Sequence, residues 1–211
     1  TPSNGLSDSL LIDDPVMRDF AQNVADLMDV LGIEKCPVYG FHTGAVCTLE
    51  LAWRHPDRVT IGVVNGYVNM AEDIVEDILD NYFEPLVFDW SGSHLTWTWA
   101  RFREQVIFFP WFRKSTADRM NYDVPPPEAL QVAVIEFLRS GPDYIKPYRG
   151  AFTQDAINSV KEMQANCIIM SPKTDVLVGG LDRMPTPPDS VTVHRPDTSE
   201  DAIDILKQAL K

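Results

Sequence analysis

A short turn flanked by glycines constrains this chain more than any other sequence feature. The apolar run 36–39 predicts a strand, and helical periodicity begins at Thr43, directly after Gly40-Phe41-His42. Because the helix must pack closely against the strand, a turn this sharp requires small residues at positions 40 and 44. It lifts the side chain of His42 above the sheet, at a helix N-terminus whose free N–H groups face anions.

The segments on both sides of this turn alternate between helix and strand, which is typical of a parallel α/β sheet. Residues 67–164 show only helical periodicity. The sequence therefore predicts a core made of residues 1–66 and 165–211, with a helical insertion at 67–164. The predicted strands are 36–39, 59–64, 166–170 and 190–194, and the predicted core helices are 16–31, 43–54 and one that begins near Ser199.

Aromatic residues are concentrated in one part of the insertion. Residues 82–112 hold 11 of the 21 aromatic side chains and four of the five tryptophans. This concentration has two interpretations, which are helix–helix packing and the wall of an apolar pocket. On the second interpretation, Trp97, Trp99 and Arg101 line a substrate pocket. Arg101 and Arg103 lie on different helix faces, so at most one of them points inward, where it could bind a carboxylate.

Charge and composition exclude several classes of function. The net charge of −13 disfavours nucleic acid and anionic membrane surfaces, and no apolar run approaches the roughly 18 residues of a membrane-spanning helix. The three cysteines have no metal-ligand spacing and are interpreted as free thiols in a cytoplasmic protein. We expect no metal and no cofactor, and a small molecule as the partner of the site. The cysteines are Cys36, Cys47 and Cys167.

Together these features resemble the α/β-hydrolase superfamily over almost the whole chain. The turn at 40–44 is similar to the nucleophile elbow of that family, and Gly5-Leu6-Ser7-Asp8 resembles its Gly-x-Ser-Asp loop. Residues 49–59 resemble the helix and turn that follow the elbow. The insertion stands where the family has its cap domain, and Asp175 stands where the family's acid follows the next-to-last strand. The resemblance implies a mainly parallel sheet with an inserted helical cap.

Three features depart from the family pattern. His42 occupies the nucleophile position, where relatives have Ser, Cys or Asp. The loop 195–198 before the last helix contains no histidine, and His194 lies in the preceding strand. The N-terminal strands and the oxyanion loop of the family have no counterpart in this sequence. We expect that missing half from the same gene product or from a second chain, with homo-oligomer formation as a further possibility.

The resemblance implies an enzyme that acts on a small, largely apolar ester, lactone or related carbonyl compound. His42 replaces the usual nucleophile and acts as a base or as the nucleophile, Asp175 orients it, and the Thr43 N–H is an oxyanion donor. His94 is a second candidate catalytic group in the insertion. Two alternatives stay open. One is a relative that binds a ligand without hydrolysis, and the other is a lyase or isomerase in which His42 only moves protons.

Overall fold

A computed structural model describes residues 1–121 and 123–210 of the 211-residue chain. In that part of the chain, no helix is both long and apolar enough to cross a membrane. The four strands are β1 (Cys36–Phe41), β2 (Val59–Asn65), β3 (Cys167–Met170) and β4 (Val191–His194). The α-helices are α1 (Met17–Val30), α2 (Thr43–Arg54), α3 (Glu72–Asn81), α4 (Ser93–Gln105), α5 (Pro127–Ser140), α6 (Ile145–Phe152), α7 (Ala156–Lys161) and α8 (Ser199–Ala209).

The chain divides into two compact units, whose boundaries differ from those that the sequence predicts. One unit contains the sheet and consists of residues 1, 12–71 and 147–211, and the other consists of residues 2–11 and 72–146. The difference from the predicted insertion at 67–164 lies mainly in residues 147–164. These residues belong with the sheet because Tyr67 donates a hydrogen bond to the Ala156 carbonyl (2.6 Å) and Trp53 donates to Glu162 (3.2 Å).

The sheet is parallel throughout and has the strand order β1-β2-β3-β4. This confirms the predicted α/β class, and each strand lies within two residues of its predicted range. The register places Gly62 beside Cys167 and Asn65 beside Met170. The carboxyl ends of β1, β2 and β3 therefore meet at one edge of the sheet, which is where ligands bind in open α/β folds.

Helices cover both faces of the sheet. On one face, a Cβ atom at Gly62 would lie 3.5 Å from the Ala52 side chain, which is ordinary van der Waals contact, so α2 packs against β2 there. On the other face, Val63, Met170 and Ala202 form a buried cluster that includes α8. Because successive side chains of a strand point to opposite faces, β2 is buried on both sides. The sequence of β2 is mainly apolar because the strand lies between two layers of helices.

Strand β1 forms the edge of the sheet within the described residues, since it pairs there with β2 alone. Its Tyr39 and Phe41 side chains are 45% and 51% exposed. Unpaired N–H and C=O groups at such an edge are available to another strand. The expectation that a strand from the same gene product or from a second chain pairs with β1 stays a prediction.

The three cysteines are free thiols in the structure. Burial raises the pKa of Cys47 to about 11 and that of Cys167 to about 12. Both thiols are therefore protonated at neutral pH, and a protonated thiol is a poor nucleophile. Cys47 lies on α2 and Cys167 on β3, so both serve as apolar core residues.

Glu50 is an ionisable residue inside α2 that the structure buries to 4% exposure. Arg54 donates a hydrogen bond to its carboxylate at 3.3 Å. Burial nevertheless raises the pKa of Glu50, because desolvation outweighs the opposing effect of Arg54. The folded state therefore binds this proton more tightly than the unfolded state does, and stability from this group is lost as the pH rises through the raised pKa.

We expect Glu50→Gln to remove this pH dependence. The difference in Tm between the variant and the parent should increase, in favour of the variant, as the pH rises from about 4 to about 7. Thermal unfolding followed by circular dichroism measures this difference. Glu34→Gln is the matched control because Glu34 is exposed, and its difference from the parent should stay flat. A flat difference for Glu50→Gln as well would show that burial does not perturb this carboxyl.

Candidate active site

The turn between β1 and α2 holds His42 in an unusual backbone conformation. His42 has φ 48° and ψ −112°, and in the described part of the chain Ser3 is the one other non-glycine residue with a positive φ. The His42 N–H donates to the Asn65 carbonyl (2.9 Å), and the His42 carbonyl accepts from the Val46 N–H (3.1 Å). These two bonds fix the turn against β2 and against the first turn of α2. A side chain in this region is strained, and strain of this kind accumulates at functional sites.

Only one of the two flanking glycines is required by close packing. A Cβ atom at Gly40 would lie 1.9 Å from the Gly44 carbonyl oxygen and 2.5 Å from Thr48 Oγ1, so no side chain fits there. A Cβ atom at Gly44 would meet no atom within 4 Å. The expectation that both positions need small residues is therefore wrong for Gly44, because its side-chain position faces open space.

His42 and Asp175 are brought within hydrogen-bond distance of each other. His42 Nε2 lies 2.8 Å from Asp175 Oδ2, and the exposed fractions of the two side chains are 41% and 9%. Asp175 is in the loop that follows β3, where its other oxygen, Oδ1, accepts from the Leu177 N–H at 2.8 Å. Both carboxylate oxygens are thus engaged, which holds the group in one orientation toward the imidazole.

The contact with Asp175 determines which ring nitrogen of His42 carries the proton. A carboxylate only accepts hydrogen bonds, so in the neutral ring Nε2 is the donor and Nδ1 keeps the lone pair. Among the described residues, none forms a hydrogen bond with Nδ1 of His42. The site therefore presents an oriented imidazole with a free basic nitrogen.

Two neighbours restrict the position of this ring, and sequence reasoning missed both. Phe41 stacks on His42 with ring centroids 3.9 Å apart and an angle of 20° between the planes. At Gly66 a Cβ atom would lie 2.6 Å from His42 Cδ2, so this glycine leaves space for the imidazole. The sequence signals are the aromatic residue next to His42 and the Asn65-Gly66 turn after β2, but neither indicates a contact with His42.

Asn65 adds a buried polar group beside the turn. It is 7% exposed, and its Nδ2 donates to the Tyr39 hydroxyl at 3.3 Å. Its Oδ1 is buried and has no hydrogen-bond partner among the described residues. A buried acceptor without a donor destabilises the fold unless water or a ligand supplies one.

The N-terminus of α2 supplies hydrogen-bond donors next to His42. The first N–H groups of a helix have no intrahelical acceptor, and α2 begins at Thr43 without a side-chain cap. The Thr43 N–H therefore remains available to an anion, as does the partial positive charge of the helix end. An oxygen that becomes negative near His42 would be stabilised by these groups.

The candidate residues of the insertion all lie in the unit formed by residues 2–11 and 72–146. His94 Nδ1 is 3.3 Å from Asp89, and hydrogen bonds from Ser91, Ser93 and His94 hold the pKa of the Asp89 carboxyl well below its usual range. These bonds stabilise the start of α4, which gives His94 a structural role in its own unit. Its predicted catalytic role stays a prediction.

The aromatic and basic candidates on α4 have different environments. Trp97 Nε1 donates to Glu84 at 2.8 Å, and Trp99 is 36% exposed. Arg101 is 2% exposed, whereas the Arg103 side chain is 53% exposed, so Arg101 is the arginine that points inward. The pocket predicted from Trp97, Trp99 and Arg101 stays a prediction, because these contacts lie within one unit.

No histidine stands where a serine elbow would need its base. His194 is the last residue of β4, and the loop 195–198 that follows it contains none. Asp182 in this region pairs with Arg195 at 2.6 Å. Across residues 1–121 and 123–210, no group of three His, Cys, Asp or Glu side chains is placed to hold a metal ion.

The backbone is similar to several solved structures, although no family model and no curated protein matches the sequence. An esterase from Exiguobacterium antarcticum has a TM-score of 0.67 and 13% identity, over 99% of this chain and 78% of that protein. The meta-cleavage product hydrolase from Pseudomonas fluorescens IP01 has a TM-score of 0.60 and 14% identity, over 99% and 76%. A carboxylesterase from the thaumarchaeon Nitrososphaera gargenis has 0.63 and 13%, over 100% and 77%. The TM-scores show a shared fold, and at identities this low they show the fold alone.

Proposed function

This chain has the α/β-hydrolase fold, and from that premise we propose that it hydrolyses small, largely apolar esters or lactones with His42 as the base at the elbow. The observation that carries the proposal is the 2.8 Å contact between His42 Nε2 and Asp175 Oδ2. It leaves the imidazole oriented, with Nδ1 available, at the carboxyl edge of a parallel sheet. The solved structures with a similar backbone include an esterase and a carboxylesterase by name, which supports an ester as the substrate.

The proposed reaction begins with general-base catalysis. His42 Nδ1 accepts a proton from a water molecule while the water oxygen attacks the carbonyl carbon of the ester. Asp175 stabilises the imidazolium that forms, as a buried carboxylate does in catalytic triads. The Thr43 N–H, at the positive end of α2, stabilises the negative oxygen of the tetrahedral intermediate.

The intermediate then collapses with cleavage of the bond between the carbonyl carbon and the leaving oxygen. The proton on His42 Nδ1 passes to that oxygen, so the alcohol leaves neutral and the imidazole returns to its starting form. Phe41 and Gly66 support this cycle because they keep the ring in one position between the two proton transfers.

Hydrolysis of alkyl esters and lactones by the full chain tests the proposal. We expect saturable turnover of short-chain alkyl esters or lactones, measured as acid release in a pH-stat. Free imidazole also cleaves activated aryl esters, so unactivated substrates are used and the rate is compared with that of equimolar imidazole. A rate above that background supports the proposal.

The same panel separates the alternatives. Saturable binding of an ester without turnover would contradict hydrolysis and favour a ligand-binding relative. Exchange of a substrate α-proton with deuterated water, again without acid release, would favour a lyase or isomerase that uses His42 for proton transfer. If the panel shows no binding and no turnover, the proposed substrate class is wrong.

A further inference from the structure

The unit formed by residues 2–11 and 72–146 contains a positive charge enclosed by aromatic rings. Arg101, on α4, is 2% exposed. Five ring centroids lie within 5.8 Å of the central carbon of its guanidinium group. The distances are 5.2 Å to Phe102 and to Phe137, 5.3 Å to Trp111, 5.4 Å to Tyr82 and 5.8 Å to Tyr144.

The hydrogen-bonding capacity of this guanidinium is mostly unused. Nη1 donates to Gln105 Oε1 at 2.7 Å. Nε is buried and has no partner among the described residues, and no acidic residue in that part of the chain forms an ion pair with Arg101. Arginine has five N–H donors and keeps its charge at all physiological pH values. The edge formed by Nε and Nη2 therefore lacks any acceptor from the described residues.

This arrangement is energetically incomplete. Attraction between the cation and the ring faces offsets part of the loss of hydration, but it supplies no oxygen acceptor for the in-plane N–H groups. A buried charge without a counter-ion is strongly destabilising, and so is a buried donor without a partner. An anion at the edge formed by Nε and Nη2 would remove both penalties.

We propose that Arg101 is the centre of a binding site for a small aromatic carboxylate. The two parallel N–H groups on this edge match the two oxygens of a carboxylate, which gives a bidentate pair. The surrounding rings favour a flat apolar body over a hydrated inorganic anion. Because Nε is enclosed in this structure, the ligand enters through a change of side-chain rotamer, as in a pocket that opens on binding.

Benzoate is the probe, and benzamide is its neutral control of nearly the same shape. Titration of the full chain should change the tryptophan fluorescence and raise the Tm with benzoate, with at least about tenfold weaker effects for benzamide. Trp111 lies in the ring shell and reports on the site. Equal responses to benzoate and benzamide, or none to either, would overturn the proposal without any variant.

Variants assign the response to Arg101. Arg101→Met should abolish it, and Arg101→Lys should weaken it at least about tenfold, because lysine keeps the charge but loses the paired donors. Arg103→Met is the matched control on the same helix, where the side chain is exposed, and should respond like the parent. A full response from a folded Arg101→Met variant would place benzoate elsewhere. The site does not depend on the proposed hydrolysis, so His42→Ala should keep the benzoate response.

Discussion

Replacement of His42 by alanine is expected to lower the rate of hydrolysis by about 10²- to 10⁴-fold. The residual rate is the one that transition-state binding supports without a base. The change removes the base whose Nε2 is 2.8 Å from Asp175. No histidine follows β4 that could replace this base. The measurement is kcat/KM on the best ester or lactone of the panel. The variant should fold like the parent, because His42 is 41% exposed and alanine leaves no buried cavity.

The matched control is His55→Ala, at the opposite end of α2. This variant should keep the parent's kcat/KM, since it removes an imidazole without touching the elbow. His42→Ser should remain inactive, because a serine at this position has no histidine to accept its proton. Activity at the parent level in His42→Ser would reveal a base elsewhere in the chain, and His94 would be the first candidate to test.

Asp175→Asn tests the orientation of the imidazole separately. Asparagine keeps the size of the side chain, but it neither stabilises the imidazolium nor selects the Nε2–H tautomer. We expect a loss in kcat with little change in KM. Full activity in this variant would show that the contact between Asp175 and His42 is structural.

Gly40→Ala is expected to lower the free energy of unfolding by about 3 kcal/mol or more. The added methyl would stand 1.9 Å from the Gly44 carbonyl oxygen, which is backbone and has no alternative rotamer. The fold must respond by moving α2 away from β1, and this motion also displaces the elbow. Urea unfolding gives the free energy, and a lower midpoint at an unchanged m value is the expected form of the result.

Gly44→Ala is the matched control, four residues away on the other side of His42. No atom lies within 4 Å of its added methyl. Alanine is also the better helix former, so the expected effect ranges from none to a gain of about 1 kcal/mol. If Gly40→Ala proved as stable as Gly44→Ala, β1 and α2 would not lie as close together at Gly40 as the structure has them.

The fold was predictable because its signals are local and ordered along the chain. Strands β1, β2 and β3 are mainly apolar runs bounded by turn residues, and five consecutive positions, 40–44, identify the elbow. The meeting of His42 with Asp175 was expected from the family resemblance, and it agrees with the rule that the carboxyl ends of parallel strands share one edge. The open position at Gly44, in contrast, depends on the angle between β1 and α2, which no residue type encodes.

Contacts between distant segments limited the rest of the prediction. Residues 147–164 have the same helical pattern as the insertion, and only their packing on Tyr67 and Trp53 assigns them to the sheet unit. Helical spacing placed Arg101 and Arg103 on different faces. It did not show that five aromatic rings enclose Arg101, four of them from outside α4.

The left-handed backbone at His42 sets stability against activity at a single position. A non-glycine residue with φ 48° costs of order 1–3 kcal/mol, which glycine would recover. An engineering campaign that rewarded only heat tolerance would thus favour glycine at the residue on which the proposed chemistry depends. Attempts to improve the robustness of this protein should therefore hold position 42 fixed and seek stabilising changes elsewhere.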